Sequence, residues 1–514
     1  MIASPPFLRE IWDRLARGEV RGKEDLQRVK AELVRLHRLS GIPSDSEVLA
    51  GAPPGLRDAF VEVLRVKPTR SASGVAVVSV MTPPHECPHG TCVYCPGGPR
   101  FGTPQSYTGT EPAARRAATH RYDPFEQTVA RLDQLRRTGH ATDKIDFIIL
   151  GGTFTALDPG LRTTFVKGCF DGLNGSVAGD LEEAHARNET APSRCIGLTI
   201  ETKPDVFLGG EVEESLGLGT TRVELGVQTT HDDVLRVMNR GHSDADSRAA
   251  TRRAKDAGLK VCYHMMPGLP GNDVDRDLDS FRAIFEDPEY RPDMLKIYPT
   301  LVLEGTGLYT MWSHGRYRPM TTEEAIELLA TVKGIVPPWV RIQRIQREIG
   351  ADEILGGPTK GDLRVRAQRR LEAGGGRCRC IRCREVGLGG RAAHADRVEL
   401  HRTEYESSGG REVFLSFEDP VGTPLIGYAR LRLSGAGAFL RELKVFGQVV
   451  PIAAEPGERW QHRGYGATLV RECERISRED GRQELLVTSG VGVRGYYRRF
   501  GYRRCGPYMS KSLA

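Results

Sequence analysis

The 514-residue chain has no apolar run approaching the ~18 residues that a membrane-spanning helix needs. No such helix, and no secretory leader, is expected: in "MIASPPFLREIWDRLARGEVRGK" charged residues interrupt every stretch that a signal peptide would keep apolar. The chain is therefore expected in a reducing cytoplasm, where disulfides are rare. Internal repeats and low-complexity stretches are also missing. What remains is 39% hydrophobic and 27% charged residues, the proportions of soluble globular domains. The length suggests about three of them at roughly 150 residues each.

With disulfides set aside, the eleven cysteines need another account. Cys169, Cys195, Cys262, Cys473 and Cys505 stand alone and read as small buried hydrophobes. The other six form two tight groups, Cys87/Cys92/Cys95 in "ECPHGTCVYCPGGP" and Cys378/Cys380/Cys383 in "RCRCIRC", and such clustering is a metal-ligand signature. The first group offers three thiolates followed by Pro-Gly-Gly, which lets the backbone turn tightly around a bulky object. A 4Fe-4S cluster normally takes four Cys, so one held by three keeps an iron open to a substrate or cofactor. That is the arrangement of radical S-adenosylmethionine enzymes, although Cys-x4-Cys-x2-Cys is wider here than their usual Cys-x3-Cys-x2-Cys. The short spacing of the second group suits a tetrahedral Zn2+. No fourth ligand is evident, although His394 and His401 are near.

From about residue 145, short apolar runs alternate with helical patterns: "IDFIILGG", "CIGLTIET", "RVELGVQ", "KVCYHMMPGLPG" and "MLKIYP". Near-continuous apolar runs separated by amphipathic stretches indicate buried parallel strands with crossover helices, hence an α/β fold with a full or partial TIM-type barrel. Functional groups in such folds sit at the C-terminal strand ends. Those positions hold Gly151, Gly152 and Thr153, then Glu201 and Lys203, then Gln228.

A second unit lies downstream. "QHRGYG", Gln461 to Gly466, opens the helical pattern "ATLVRECERISRED", and a glycine turn at a helix start offers free N–H groups and a positive dipole end to a pyrophosphate. The strand "ELLVTSG" and then "YYRRFGY" follow, an order that resembles the GNAT acetyltransferases. In those enzymes a tyrosine four residues before a glycine lies near the acetyl-CoA thioester; Tyr497 has that spacing from Gly501, with Tyr496 beside it. Between the two units, Arg341 to Arg384 holds twelve Lys or Arg against five Asp or Glu, a net of +7 where the whole chain carries +6. Such concentration points to a polyanion, with Arg364, Arg366, Arg369 and Arg370 as candidate nucleic-acid contacts. The expected organisation is a helical region over 1–75, a radical S-adenosylmethionine domain over 76–345, a basic zinc-binding linker over 346–395 and a GNAT domain over 396–514.

Taken together, "CPHGTCVYCPGGP", "QSYTGTEPAARRA", "RYDPFEQ", "GGTFTAL", "ETKPD", "RVELGVQT", "YHMMPGLPG", "REVG", "SFEDP", "RELKVFGQVVP", "QHRGYG" and "SGVGVRGYYRRFGY" resemble the catalytic subunit of Elongator across nearly the whole chain, in its single-chain archaeal and bacterial form. That family shares the wider first cysteine gap. The resemblance implies carboxymethylation of the wobble uridine of tRNA at carbon five, with a radical from S-adenosylmethionine acting on acetyl-CoA, tRNA bound by its anticodon arm, and a monomer or homodimer. It further implies that Glu442, Leu443, Lys444 and Val445 pair with the pantetheine arm, that Gly464, Tyr465 and Gly466 take the pyrophosphate, that Lys144 serves acetyl-CoA, and that Tyr496 or Tyr497 is catalytic. Two other classes stay open: a protein lysine acetyltransferase, marked by acetylation without tRNA, and a non-catalytic RNA-binding scaffold, marked by the absence of iron.

Overall fold

The computed structural model describes residues 3–53, 55–388, 397–421, 423–447 and 464–514, so Gln461, His462, Arg463 and His394 lie outside the described residues. Four helices open the chain: α1 (Pro5–Ala16), α2 (Lys23–Leu36), α3 (Asp45–Ala50) and α4 (Arg57–Leu64). The Ser4 hydroxyl accepts from Phe7 N–H to cap α1, and Ser44 with Glu47 forms a capping box on α3. Phe7, Ile11 and Leu15 recur at helical spacing on α1 and pack with Leu26, Val29 and Leu33 of α2 into a separate core.

A parallel sheet follows, built of β1 (Ala76–Met81), β2 (Lys144–Leu150), β3 (Arg194–Thr202), β4 (Thr220–Gln228), β5 (Lys260–Met265) and β6 (Met294–Ile297), and, after the short β7 (Val302–Leu303), β8 (Arg341–Ile345). The order β1-β2-β3-β4-β5-β6-β8 makes every neighbour parallel, and among the described residues β1 and β8 do not pair. The barrel is thus partial and stays open along one side.

Parallel neighbours need crossovers. These contain α5 (Pro112–Thr119), α6 (Pro124–Arg137), α7 (Pro159–Asn174), α8 (Leu181–Asn188), α9 (Glu211–Gly217), α10 (Asp232–Val237), α11 (Asp244–Asp256), α12 (Val274–Glu286), α13 (Gly307–Ser313) and α14 (Thr322–Ile335). The period-2 alternation of strands divides the sheet into two faces. On β2, Ile145, Phe147 and Ile149 enter the core under the helices, while Lys144, Asp146, Ile148 and Leu150 line an unfilled lumen. Beyond β8, β9 (Ile354–Gly356) pairs with β7, and α15 (Leu363–Ala373) packs along α14. Cys378 and Cys380, just before α16 (Ile381–Arg384), join the same core.

The second sheet comprises β10 (Glu399–Ser407), β11 (Gly410–Glu418), β12 (Leu425–Ser434), β13 (Gly437–Val445), β14 (Glu484–Val487), β15 (Arg503–Cys505) and β16 (Tyr508–Ser512), in the order β10-β11-β12-β13-β14-β16-β15. α17 (Tyr465–Glu479) precedes β14 and packs on β12 and β13, and α18 (Arg494–Arg498) follows it. Every pairing is antiparallel except β13 with β14, which is limited to Phe439↔Leu486 and Leu440↔Val487. The two strands then part, and among the described residues no β14 residue pairs with Glu442 to Lys444.

Register also shifts where β13 meets β12: Arg430 faces Glu442 and Leu431 faces Leu440, which leaves Arg441 as a bulged residue. The bulge turns its guanidinium across the domain junction to Asp293 at 2.7 and 2.8 Å, Glu412 at 2.7 Å and the Leu259 carbonyl at 2.8 Å. Leu259 and Asp293 immediately precede β5 and β6, so the second sheet closes the N-terminal end of the barrel. Of the five isolated cysteines four are buried as expected, but Cys505 is exposed, because it ends β15 at the sheet's outer edge. No helix among the described residues is long and apolar enough to cross a membrane.

Candidate functional site

The loop after the C-terminal end of β1 carries the first cysteine group. Each sulfur faces hydrogen-bond donors: Cys87 Sγ lies 3.3 Å from Thr153 Oγ1, Cys95 Sγ lies 3.2 Å from Ser106 Oγ, and Cys92 Sγ lies 3.1 Å from His89 Nε2 and 3.4 Å from an Arg240 guanidinium nitrogen. Burial pushes the Cys87 thiol up and, with Cys92 adding to it, the Cys95 thiol to about 12. A cationic centre between the three would offset that cost. Tetrahedral Zn–S bonds of ~2.3 Å would bring sulfurs to roughly 3.8 Å from one another. Only two groups of three ligand side chains among the described residues come within 4.8 Å, and Cys87, Cys92 and Cys95 are not one of them. The spread and the donors fit a cluster rather than a single ion.

Beside this loop lie the strand ends that the sequence singled out. Gly151 has φ +140°, and a Cβ there would stand 1.9 Å from Thr82 Oγ1, so only glycine lets β2 end against β1; Gly152 follows with φ +82°. Gln228 ends β4 at φ +71°, and its Oε1 is buried with no hydrogen-bond partner, an acceptor available to a ligand. Glu201 accepts from the Tyr107 hydroxyl at 3.1 Å and pairs with Lys296 at 3.5 Å.

Sequence reasoning missed Glu224, His264 and Lys296. Glu201, Glu224 and His264 bring ligand-type atoms within 4.8 Å, but the Lys296 ammonium pairs with both carboxylates and takes the place of a metal ion. Glu224 accepts from His264 Nε2 at 2.8 Å; against its burial, Lys296 first and then His264 hold its carboxyl below the usual range. The signal was present: "RVELG", "CYHMM" and "MLKIY" each place an ionisable residue inside a run otherwise fit for a barrel core.

At the opposite end of the lumen lie Lys144 and the residues assigned to acetyl-CoA. Burial lowers the Lys144 pKa, with Asp143 opposing. Glu442 is tied to Arg430 at 2.9 Å, and the Lys444 ammonium lies 5.3 Å from the centre of the Phe446 ring. Leu443 and Val445 line the cavity with them. Gly464, at φ +88° with no atom of the described residues within 4 Å of a built Cβ, precedes α17. A Cβ on Gly466 would stand 2.6 Å from the Tyr496 hydroxyl, so that hydroxyl hangs over the glycine turn. Both tyrosines border the cavity but differ in burial: Tyr496 is half-buried, while Tyr497 is 6% exposed and packs in the second core beside Tyr502.

The two ends open into one cavity of ≈ 1360 Å³. Its wall holds sixteen Lys or Arg against six Asp or Glu, a basic lining that suits phosphate-bearing ligands. The basic segment is divided by the fold: Arg341, Arg344, Arg347 and Arg382 reach this wall. Arg364 is half-buried and donates to the Ile342 carbonyl at 3.0 Å, Arg366 pairs with Glu323 at 2.8 Å and Arg370 with Glu327, and Arg369 is exposed. Cys378, Cys380 and Cys383 lie elsewhere, with sulfurs within 4.8 Å of one another and the Lys333 ammonium 3.6 Å from Cys383 Sγ. Hydrogen bonds from Cys378 and Cys383 hold the Cys380 thiol below its usual range. The spacing fits one ion at a structural position; His401 is exposed on β10 and is not in the group.

A partial parallel barrel with a three-cysteine loop after its first strand defines a radical S-adenosylmethionine protein. The model of the radical SAM superfamily matches residues 81–284, that of the Radical_SAM C-terminal domain 292–373, and that of the ELP3 N-terminal domain 6–72. A tRNA uridine(34) acetyltransferase of Methanocaldococcus jannaschii is 47% identical, with 99% of this chain and 97% of that protein aligned. Elongator complex protein 3 of Homo sapiens is 43% identical over 98% of this chain and 96% of its own length. Among solved structures, the archaeal Methanocaldococcus infernus Elp3 with an N-terminal deletion superposes with a TM-score of 0.76 at 43% identity, covering 86% of this chain and 99% of that one. The chain belongs to the Elongator complex protein 3 family.

Proposed function

We propose that this chain modifies the wobble uridine of tRNA, using S-adenosylmethionine at the cysteine loop and acetyl-CoA at the glycine turn to place a carboxymethyl group on carbon five of the base. The observation that carries this reading is the single cavity with the cysteine loop at one end and the parted strands β13 and β14 at the other. Two cofactor sites facing one shared space are what a reaction needs when a reactive carbon made from one cofactor must meet a base held by the same protein. The names of two relatives, both tRNA uridine(34) acetyltransferases, support the substrate.

When bound, the cluster and S-adenosylmethionine supply the radical chemistry. The chain's own residues bind and orient. In a GNAT reading of the second sheet, the backbone of Glu442 to Val445 takes the pantetheine amides, and the N-terminus of α17 with Gly464 to Gly466 takes the pyrophosphate. Lys144 contributes a point charge to the acyl-CoA. The Tyr496 hydroxyl, over the glycine turn, donates a proton to the thiolate that leaves on thioester hydrolysis. The basic wall holds the phosphates of the anticodon arm, and Zn2+ at Cys378, Cys380 and Cys383 pins the segment after α15. The test is mass spectrometry of tRNA nucleosides after incubation with acetyl-CoA, S-adenosylmethionine and a reductant. Carboxymethyluridine is expected, and its absence with iron present overturns the reading.

A further inference from the structure

The wide gap between Cys87 and Cys92 contains His89, and its ring touches a cluster sulfur. The extra residue of the gap is taken up in a turn closed by Gly90 N–H to the Cys87 carbonyl at 2.9 Å, with Gly90 at φ +83°. That turn brings His89 back so that Nε2 lies 3.1 Å from Cys92 Sγ. Its other nitrogen, Nδ1, lies 2.9 Å from Lys203 Nζ. An ammonium has three donors and no acceptor, so Nδ1 must offer a lone pair and the ring proton must sit on Nε2, directed at sulfur.

The arrangement is held from three sides. Lys203, 3% exposed at the end of β3, is anchored by Asp205 at 3.1 Å. Gly241, at φ +71°, packs against the ring: a Cβ there would stand 2.6 Å from His89 Cβ and 3.4 Å from Lys203 Nζ. Arg240 gives the same sulfur a second N–H donor at 3.4 Å and is itself held by the Gly226 carbonyl at 2.7 Å. Cys87 and Cys95 each face one hydroxyl instead.

We propose that His89, oriented by Lys203, is a positioning residue that sets the reduction potential of the cluster through its hydrogen bond to the Cys92 sulfur. The proposal rests on the reading of Cys87, Cys92 and Cys95 as cluster ligands. The physical cause is charge: reduction adds an electron to the cluster and its thiolates, and a donor on sulfur stabilises the more negative form. Removing the donor makes the cluster harder to reduce.

The test uses full-length protein with an anaerobically reconstituted cluster, compared by iron content and by redox titration followed by electron paramagnetic resonance, without tRNA. His89→Leu removes the donor, and His89→Asn keeps a polar group too short to reach the sulfur. His89→Gln can both donate to sulfur and accept from Lys203. The Leu and Asn variants should load iron like the wild type and titrate at a more negative potential, with the Gln variant close to the wild type. Iron-loaded variants that all titrate at the wild-type potential would overturn the proposal. Loss of iron from both the Leu and the Asn variant would overturn it too, by making His89 a requirement for assembly. A wild-type protein that takes up no iron would refute the cluster reading itself, and the iron count tells these failures apart.

Discussion

Asp293→Ala should destabilise the whole chain although the residue touches neither candidate site. Its carboxylate is fully buried at the junction, where it accepts from Arg441 at 2.7 and 2.8 Å and from Val261 N–H at 2.9 Å, with an Arg430 guanidinium nitrogen at 3.5 Å. Removing one partner of a buried pair costs about 3–5 kcal/mol, because the other charge stays buried. Unfolding entropy of about 2.1 cal/mol/K per residue over 514 residues is roughly 1.1 kcal/mol/K, so Tm should fall by about 3–5 °C, and by more if a smaller unit unfolds first. Differential scanning calorimetry measures the shift. Asp293→Ala with Arg441→Met removes both charges and should recover most of it. Against its burial, Arg441 first, then Lys255 and Arg430, hold the Asp293 carboxyl below the usual carboxylate range. A depressed carboxyl contributes stability above its unfolded pKa of about 4, and that contribution is lost as pH falls, so wild type and variant should converge in acid. A Tm within 1 °C of wild type at neutral pH, or a double variant no better than the single one, would refute the reasoning.

The tyrosines should diverge: Tyr496→Phe should slow tRNA-stimulated acetyl-CoA hydrolysis by about 10²-fold or more, the scale of a lost general acid, while Tyr497→Phe should cost under about 10-fold, as read by thiol release. For tRNA, Arg344→Glu with Arg347→Glu should weaken binding and flatten its salt dependence more than Arg366→Glu with Arg370→Glu, since the first pair lines the cavity, although each also has a carboxylate neighbour in Glu348 or Glu111, and the second pair lies outside it against α14. Burial, then Arg494, lowers the His185 pKa to about 4, below its unfolded value of about 6.5. The unfolded chain therefore takes up the proton first as pH falls, costing about 2 kcal/mol by pH 5; His185→Gln should remove that share of the Tm drop between pH 7 and pH 5.

Much of this site was legible before folding. Three thiols in nine residues, glycines at the end of "IDFIILGG" and a glycine turn before a helix all mark their chemistry locally, because the backbone conformation that each needs is set by neighbours in the chain. Gly151 and Gly464 do adopt positive φ as their roles require. Other features could not be read this way. Arg364, Arg366 and Arg370 look like a phosphate-binding run, but α15 lies along α14 and turns two of them toward Glu323 and Glu327. Lys296 reads as one polar residue in a strand until β4 and β6 bring it to Glu224.

By itself, then, the sequence marked the apolar strands of the first sheet, two groups of neighbouring cysteines and the turns that hold glycine, since these depend on alternation, spacing and φ over a few residues. Only the tertiary structure decided that Tyr496 stays half-buried over the glycine turn while Tyr497 packs into the second core, which arginines reach the cavity wall, and that the cysteine loop and the glycine turn line one lumen. Those outcomes depend on which surfaces become neighbours when β13 bulges at Arg441 and seats the second sheet on the barrel, and distance along the chain carries no record of that contact.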